Sequence, residues 1–243
     1  MIRFGKNILT FDTVTSTFDE LGKLPVDEGY AVVAARQTAG VGRMGRQWLS
    51  DNGGLYFSFY IIPDTETDKI PFLALVCALA AYRTISCYTD CAIKWPNDIV
   101  ADGKKVCGIL TKSAVKSGKA VVMAGVGINV NNTHFDGELV SRAVSIKQIT
   151  GKEWDTKQIL NNFFECFEDI YLNLTNEQII EEYSKVCATL GSDVAVHYNM
   201  SGDTVTGVCT KIRSDGSIDV KTADGEINVN SGEVSVRGIY GYI

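Results

Sequence analysis

The chain has 243 residues, which is enough for one sizeable core or for a main domain with a small appendage. Hydrophobic residues make up 45% of it and charged residues 21%, a composition that excludes a largely disordered protein. The formal net charge of −6 argues against broad nucleic-acid binding, because neutralising phosphates requires clustered Lys and Arg.

The seven cysteines form no C-x-x-C pair, and neither His134 nor His197 follows a metal-ligand spacing. We therefore predict free, mostly buried thiols. The N-terminus has no basic, apolar and small-residue pattern of a signal peptide. The longest apolar stretch, Phe72 to Tyr82, is about half as long as a membrane span. These features predict a reduced, cytoplasmic protein without a membrane segment.

Predicted elements alternate between strands and helices over the first part of the chain. Ser16 and Thr17, each followed three residues later by an acid, predict a helix that ends before Pro25. A Gly-rich loop runs from Thr38 to about Ser50, and a turn follows at 51–54. The predicted strands here are Asn7 to Val14, Tyr30 to Ala35 and Leu55 to Ile62.

The middle of the chain combines a β-hairpin with helical segments. Val106 to Val115 and Ala120 to Val130 are apolar runs joined by a polar link at 116–119, which is typical of a hairpin. The predicted helices are Pro71 to about Thr89, Val140 to Thr150, Thr156 to Leu172 and Asn176 to Leu190.

After Gly191 the pattern becomes purely β. Short alternating segments are separated by the turn pairs Gly202-Asp203, Asp215-Gly216 and Asp224-Gly225. We predict an α+β fold with two domains: a mixed β-sheet with helices over residues 1–190, and a small β-barrel over residues 191–243.

Gly40, Gly42 and Gly45 spell G-x-G-x-x-G after a predicted strand, which by itself suggests a dinucleotide site. That interpretation requires a helix to open within the glycine run, and here the chain continues into a turn and a strand. The loop also contains Arg43 and Arg46, whose guanidinium groups suit carboxylate and phosphate oxygens. Trp48 supplies a flat face for a base. The alternative is a solvated surface turn with incidental arginines.

Two further motifs favour a binding site. Lys94-Trp95-Pro96-Asn97-Asp98 places a cation, an amide and an acid within reach of phosphates, ribose hydroxyls or magnesium. Lys105 enters an apolar strand, where it is a plausible partner for a carboxylate, although an isolated lysine is more often a surface residue. Glycines at 125 and 127 precede Asn129, and glycine within a strand commonly marks the close approach of a ligand.

Together, AGVGRMGRQW with GGLYFS, KWPND with KKVCGIL, and GVGINVN resemble the biotin–protein ligases of bacteria, over nearly the whole chain. The resemblance implies a class II aminoacyl-tRNA synthetase/biotin ligase-like sheet followed by an SH3-like β-barrel domain. It also implies an enzyme that makes biotinyl-adenylate from biotin and ATP and transfers biotin to a lysine of a biotin carboxyl carrier protein.

The resemblance assigns roles by position. Biotin-binding residues would be Ser16, Thr17, Gln37, Val41, Gly42, Arg43 and Lys105. ATP-binding residues would be Arg43, Arg46, Trp48, Lys94, Asn97 and Asn129. Catalytic residues would be Arg43, Lys105, Lys94 and Asp98. Magnesium would arrive with ATP near Asp98, without a dedicated protein cage.

The chemistry suits these residue types. Biotin's carboxylate must attack the α-phosphorus of ATP, and the two anions repel each other. Cations that neutralise both and stabilise the transition state are the main requirement. In the transfer step the carrier lysine must lose a proton, for which Asp98 is a candidate base.

Two positions depart from the family pattern. Phe18 stands where Asn is usual, and Val41 stands where the first loop arginine is usual. The alternatives are therefore a lipoate or octanoate ligase, or a catalytically weakened biotin-binding protein. Because the chain begins within the catalytic body, we expect no DNA-binding domain and no DNA binding. A homodimer formed through the sheet is compatible with the resemblance.

Overall fold

A seven-stranded mixed sheet forms the body of the protein. The structure is a computed structural model that describes residues 3–63, 72–116, 119–199, 201–232 and 234–238. The strands are β1 (Asn7–Val14), β2 (Tyr30–Gln37), β3 (Leu55–Ile61), β4 (Ala92–Lys94), β5 (Asp98–Ala101), β6 (Lys104–Lys116) and β7 (Lys119–Ile128). Their order is β1-β2-β3-β7-β6-β5-β4, with β1 parallel to β2 and every other neighbouring pair antiparallel. The predicted strands and the β6–β7 hairpin are confirmed; Pro71 and the link residues Ser117 and Gly118 lie outside the described residues.

Six helices accompany this sheet in the described residues. They are α1 (Thr17–Gly22), α2 (Phe72–Ile85), α3 (Leu139–Arg142), α4 (Ile146–Thr150), α5 (Thr156–Asn173) and α6 (Asn176–Lys185). The predicted start of α1 is confirmed, because the Ser16 hydroxyl accepts a hydrogen bond from the Phe18 amide as its N-cap.

Strand β3 lies in the interior of the sheet, between β2 and β7, and is buried on both faces. On one face Phe57 and Phe59 pack edge-on against Phe163 of α5, and this aromatic cluster forms part of the core. On the other face the Tyr60 hydroxyl donates to the carbonyl of Leu21 in α1 at 2.8 Å. Helix α1 has only six residues, and Trp48 of the loop at 38–50 also lies on this face, over Gly127 of β7.

The described residues after 192 form a separate antiparallel sheet of five strands. These are β8 (Asp193–Tyr198), β9 (Thr204–Ile212), β10 (Ile218–Thr222), β11 (Gly225–Val229) and β12 (Val234–Gly238). The order is β11-β10-β9-β8-β12, with a register shift at Asp219/Val220. The predicted fold class, a mixed sheet with helices followed by a small SH3-like β-barrel, is confirmed.

Helix α2 ends at Ile85, about one turn before the predicted end near Thr89. Two other predicted helices were wrong in extent. The segment from Val140 to Thr150 is divided into α3 and α4, because the amide of Val144 donates to the carbonyl of Lys105 at 3.0 Å. Helix α6 ends at Lys185 and not at Leu190, because residues 186–188 pair with Ile93 of β4. In both places hydrogen bonding to a distant strand replaces the helix that the local pattern predicts.

The predicted cysteine state agrees with the structure. All seven cysteines are free, and four of them are buried. Helix α2 is apolar up to Ala81 but has only 14 residues, and no helix among the described residues is long and apolar enough to cross a membrane.

Candidate active site

Three glycines remove side chains from one patch of the central sheet. Gly108 of β6 pairs with Gly127 of β7, and Gly125 lies two residues earlier on β7. A Cβ added at Gly127 would lie 2.5 Å from Trp48 Nε1, and one added at Gly125 would overlap the ring of Phe18. The bare backbone therefore allows two aromatic rings to lie directly on the sheet.

A cavity of about 810 Å³ opens above this glycine floor. Its described lining contains five cationic side chains and one carboxylate, that of Asp98. The cations are Arg43, Arg46, Lys94, Lys105 and Arg142. The cavity is therefore strongly cationic on a chain whose net charge is −6, which favours an anionic ligand.

One end of the cavity carries a network of neutral polar groups. Gln37 Oε1 accepts hydrogen bonds from the Thr17 amide at 2.8 Å and from the Thr17 hydroxyl at 3.1 Å. The Thr17 hydroxyl also lies 2.7 Å from that of Ser58, which is fully buried on β3. Gln37 Nε2 donates to Ser50 at the base of the loop. This network presents oriented donors and acceptors to a ligand without adding a charge.

The loop at 38–50 is closed by its own backbone. The amide of Gly42 donates to the carbonyl of Arg46 at 2.7 Å, and Trp48 donates to Gly40 at 2.9 Å. Gly40 is required here, because a Cβ would overlap the Trp48 carbonyl. Within the loop only a three-residue 3-10 turn, Arg43–Gly45, is helical. No α-helix opens at these glycines, as the sequence predicted.

Arg43 lies at the tip of this loop and joins three parts of the chain. Its Nη1 donates to Asn97 Oδ1 at 2.9 Å. Its Nη2 donates to the carbonyl of Ser231 and, at 3.5 Å, to that of Val234 in the second sheet. Burial lowers the pKa of the Arg43 guanidinium, an effect that Asp98 opposes and Arg46 reinforces. A guanidinium still stays charged, so Arg43 can exchange these neutral acceptors for an anion.

Lys105 forms an ion pair with Asp98 that faces the cavity. Its Nζ lies 2.5 Å from Asp98 Oδ1 and 5.0 Å from the centroid of the Trp48 ring. Trp48 Nε1 is buried and has no hydrogen-bond acceptor among the described residues. The ammonium group of Lys105 and the benzo edge of Trp48 therefore meet above Gly108, and the indole N–H lies above the neighbouring Gly127.

The KWPND segment is a tight turn between β4 and β5. Trp95, which is buried, donates from Nε1 to the carbonyl of Gly216 in the second sheet at 2.9 Å. Asn97 Nδ2 donates to the carbonyl of Ile109 on β6 at 2.5 Å. Asn129 uses its amide in a similar way, donating to the carbonyl of Val144 at 3.2 Å. These side chains fix the turn and the walls before any ligand is present.

The structure brings together every predicted site residue except Ser16. The lining includes Thr17, Gln37, Val41, Gly42, Arg43, Arg46, Trp48, Lys94, Asn97, Asp98, Lys105 and Asn129. Ser16 does not line the cavity; its hydroxyl is occupied in capping α1. Sequence reasoning missed one wall, formed by Phe135, Leu139, Ser141, Arg142 and Ala143. No local motif marks that wall, since it reaches the cavity only through the pairing of Ala143 with Lys105.

Metal-binding residues are sparse. Among the described residues there is no cluster of three His, Cys, Asp or Glu side chains that could hold a metal ion. Asp98 is the one acid in the described lining, which fits a cation held mainly by a ligand's phosphates and not by a protein cage.

Comparison with known proteins gives a consistent result. Residues 9–131 match the model of the biotin/lipoate A/B protein ligase family. The bifunctional ligase/repressor BirA of Bacillus spizizenii is 38% identical over 178 residues, which are 69% of this chain and 54% of that protein. The biotin–[acetyl-CoA-carboxylase] ligase of Mycobacterium tuberculosis is 27% identical over 85% of this chain and 79% of its own length. The chain thus spans about half the length of the Bacillus relative.

A solved structure extends the likeness to the second sheet. The biotin protein ligase of Aquifex aeolicus in complex with biotin and ATP superposes with a TM-score of 0.83 and 33% sequence identity. The match covers 96% of this chain and 99% of the Aquifex chain.

Proposed function

The chain belongs to the biotin/lipoate A/B protein ligase family, and on that premise we propose that it is a biotin–protein ligase. It activates biotin with ATP to biotinyl-adenylate and transfers biotin to a lysine of a biotin carboxyl carrier protein. The observation that carries this proposal is the cavity, in which a neutral polar end adjoins five cationic side chains. An acid with a polar, uncharged head and a nucleoside triphosphate would together match a cavity that is neutral at one end and cationic at the other.

Biotin's polar head would bind at Thr17 and Gln37, beside Val41 and Gly42, and its carboxylate would reach Lys105. Lys105 already holds one carboxylate, that of Asp98, at 2.5 Å. Arrival of a second carboxylate would share the ammonium group between two anions and loosen Asp98 from it.

ATP would occupy the cationic end. Arg43, Arg46 and Lys94 would neutralise its phosphates, with Trp48, Asn97 and Asn129 near the nucleoside. Asp98 is the residue of the lining that would hold magnesium, whose charge would offset that of the phosphates. Attack of the biotin carboxylate on the α-phosphorus forms the adenylate and releases pyrophosphate.

Transfer requires an uncharged amine. The carrier lysine loses a proton to Asp98, attacks the acyl carbon of the adenylate, and AMP leaves. Asp98 is suited to this step because it lies beside Lys105, which would have carried the carboxylate now being attacked.

We also propose that residues 1–190 are the catalytic domain and residues 191–243 the C-terminal domain. The strands of the large sheet all precede residue 190 and those of the small sheet all follow it.

Pyrophosphate release tests the proposed function. The purified protein is mixed with ATP and magnesium, and with biotin, lipoate, octanoate or no acid. Release that depends on biotin, followed by labelling of a carrier domain, would support the proposal. Release with lipoate alone would make the chain a lipoate ligase. Biotin binding without release would make it a binding protein.

A further inference from the structure

We propose that Phe18 is a specificity-determining residue, a flat apolar wall that favours an acid with a fused ring over one with a single ring. This inference rests on the proposed function and concerns the neutral polar end of the same cavity, where the head of the acid substrate would bind.

The ring of Phe18 can lie directly on the sheet because the residue beneath it has no side chain. It lies in the first turn of α1, is 8% exposed and lines the cavity. Its ring lies against Gly125, where an added Cβ would overlap Cε2. Gly125 pairs with Ser58 on β3, so the ring lies next to the network of Thr17, Ser58 and Gln37.

A cation fixes the ring from outside. The ammonium group of Lys112, an exposed residue of β6, lies 5.3 Å from the ring centroid. A contact of this kind favours one orientation of the ring. With backbone on one side and a cation nearby, Phe18 is a rigid part of the cavity wall.

At the neutral polar end of the cavity, the polar network and the ring of Phe18 recognise different features of a ligand. Thr17 and Gln37 can exchange hydrogen bonds with a ureido group, whereas Phe18 can offer only apolar area. Biotin carries a ureido ring fused to a sulfur-containing ring. Desthiobiotin keeps the ureido ring and the acyl chain but lacks the second ring. A change in the preference for biotin over desthiobiotin when Phe18 is substituted therefore reports what this ring contributes.

The test compares the KM values of the two acids in pyrophosphate release, together with their dissociation constants from calorimetry. Phe18→Ala should raise the KM for biotin about tenfold and that for desthiobiotin by about threefold or less. Phe18→Leu, which keeps apolar bulk without a flat ring, should fall between the wild type and Phe18→Ala. Lys112→Gln should shift the preference in the same direction but less.

Phe11→Ala is the matched control. It removes a phenyl group from the small cluster around Leu21 on the same side of the sheet, and Phe11 does not line the cavity. It should leave the ratio of the two KM values unchanged. Thermal unfolding of both variants shows whether each remains folded at the assay temperature.

An equal change for both acids in Phe18→Ala, or no change, would overturn the inference. If the wild type releases no pyrophosphate with any acid, the proposed function fails. The role of Phe18 is then decided by calorimetry alone, from the ratio of the dissociation constants of desthiobiotin and biotin in the wild type and in Phe18→Ala. The inference is supported if the preference for biotin over desthiobiotin falls in the Phe18 and Lys112 variants and not in Phe11→Ala.

Discussion

Lys105 lies between Asp98 and the indole of Trp48, and both neighbours keep its ammonium group at the cavity wall. In the proposed reaction it stabilises negative charge that develops between carboxylate and phosphate. We expect Lys105→Ala to reduce biotin-dependent pyrophosphate release about 10²- to 10³-fold, the usual effect of removing one such group.

The neighbouring lysine provides a control for this prediction. Lys104 donates to the carbonyl of Val140 in an exposed position and does not line the cavity. Lys104→Ala should change the rate less than about threefold, as expected for an exposed side chain. Equal losses in the two variants would show that strand β6, and not the charge at 105, was disturbed.

Tyr56 ties the turn at 51–54 to the sheet and makes stability depend on pH. Its hydroxyl donates to the carbonyl of Asp51 at 2.8 Å and accepts from Asn132 at 3.3 Å. Burial raises the pKa of Tyr56 from 10.0 to about 12; the bond from Asn132 lowers it and the charge of Asp51 raises it.

The direction of the pH dependence follows because the folded protein buries the neutral form of the Tyr56 hydroxyl. A raised pKa stabilises the fold below pH 10, and this contribution is lost as the pH rises towards 12. The loss amounts to about 3 kcal/mol in the free energy of unfolding. Urea unfolding of wild type and Tyr56→Phe at several pH values measures it, and the variant should lose less stability over this range. Parallel pH profiles would contradict the assignment.

At the scale of elements, helix α4 supports the wall that sequence reasoning missed. Ser145 accepts from the Gln148 amide in a capping box and donates to the carbonyl of Asn132 at 2.6 Å. It is fully buried and follows Ala143, which pairs with Lys105. Ser145→Ala should lower the free energy of unfolding by about 1–2 kcal/mol and also raise the KM for ATP.

Thr175 offers the same motif away from the cavity. It caps α6 in an exposed capping box with Gln178. Thr175→Ala should cost about 1 kcal/mol of stability and leave both KM values unchanged. If Thr175→Ala changed the KM for ATP as much as Ser145→Ala does, the effect would be general destabilisation.

Elements whose signals are local could be predicted from the sequence. Strand β3 was recognised by its aromatic and β-branched residues after a turn signal, and α1 by the capping residue Ser16. What could not be predicted depends on pairing between distant segments. The break at Val144 requires the carbonyl of Lys105, and the end of α6 requires the backbone of Ile93. A helical period in the sequence cannot reveal such partners.

The same distinction applies to the site. Arg43, Asp98 and Lys105 stand in motifs whose residue types already suggest anion chemistry, and they do share one cavity. Arg142 adds a further cation but belongs to no motif. Ser16 was also predicted to contact the ligand; its hydroxyl caps α1, and Ser16 is not part of the described lining.

At the scale of the molecule, the second sheet contacts the cavity through the two motifs that were predicted to bind ATP. Arg43 donates to the carbonyls of Ser231 and Val234, and Trp95 donates to that of Gly216. The two contacts are coupled, because Asn97, two residues beyond Trp95, also accepts from Arg43. The small sheet therefore holds the cationic end of the cavity, and Val236 of β12 is part of the lining.

Trp95→Phe tests this arrangement by removing one hydrogen bond while keeping an aromatic ring in the core. The carbonyl of Gly216 loses its indole donor, which should lower the free energy of unfolding by about 1–2 kcal/mol. Because the turn that carries Asn97 is loosened, the KM for ATP should rise while that for biotin stays the same. Trp154→Phe is the control, since its indole donates to Thr150 at 3.0 Å and does not line the cavity. Equal ratios of the two KM values in both variants would mean that the second sheet only stabilises the fold.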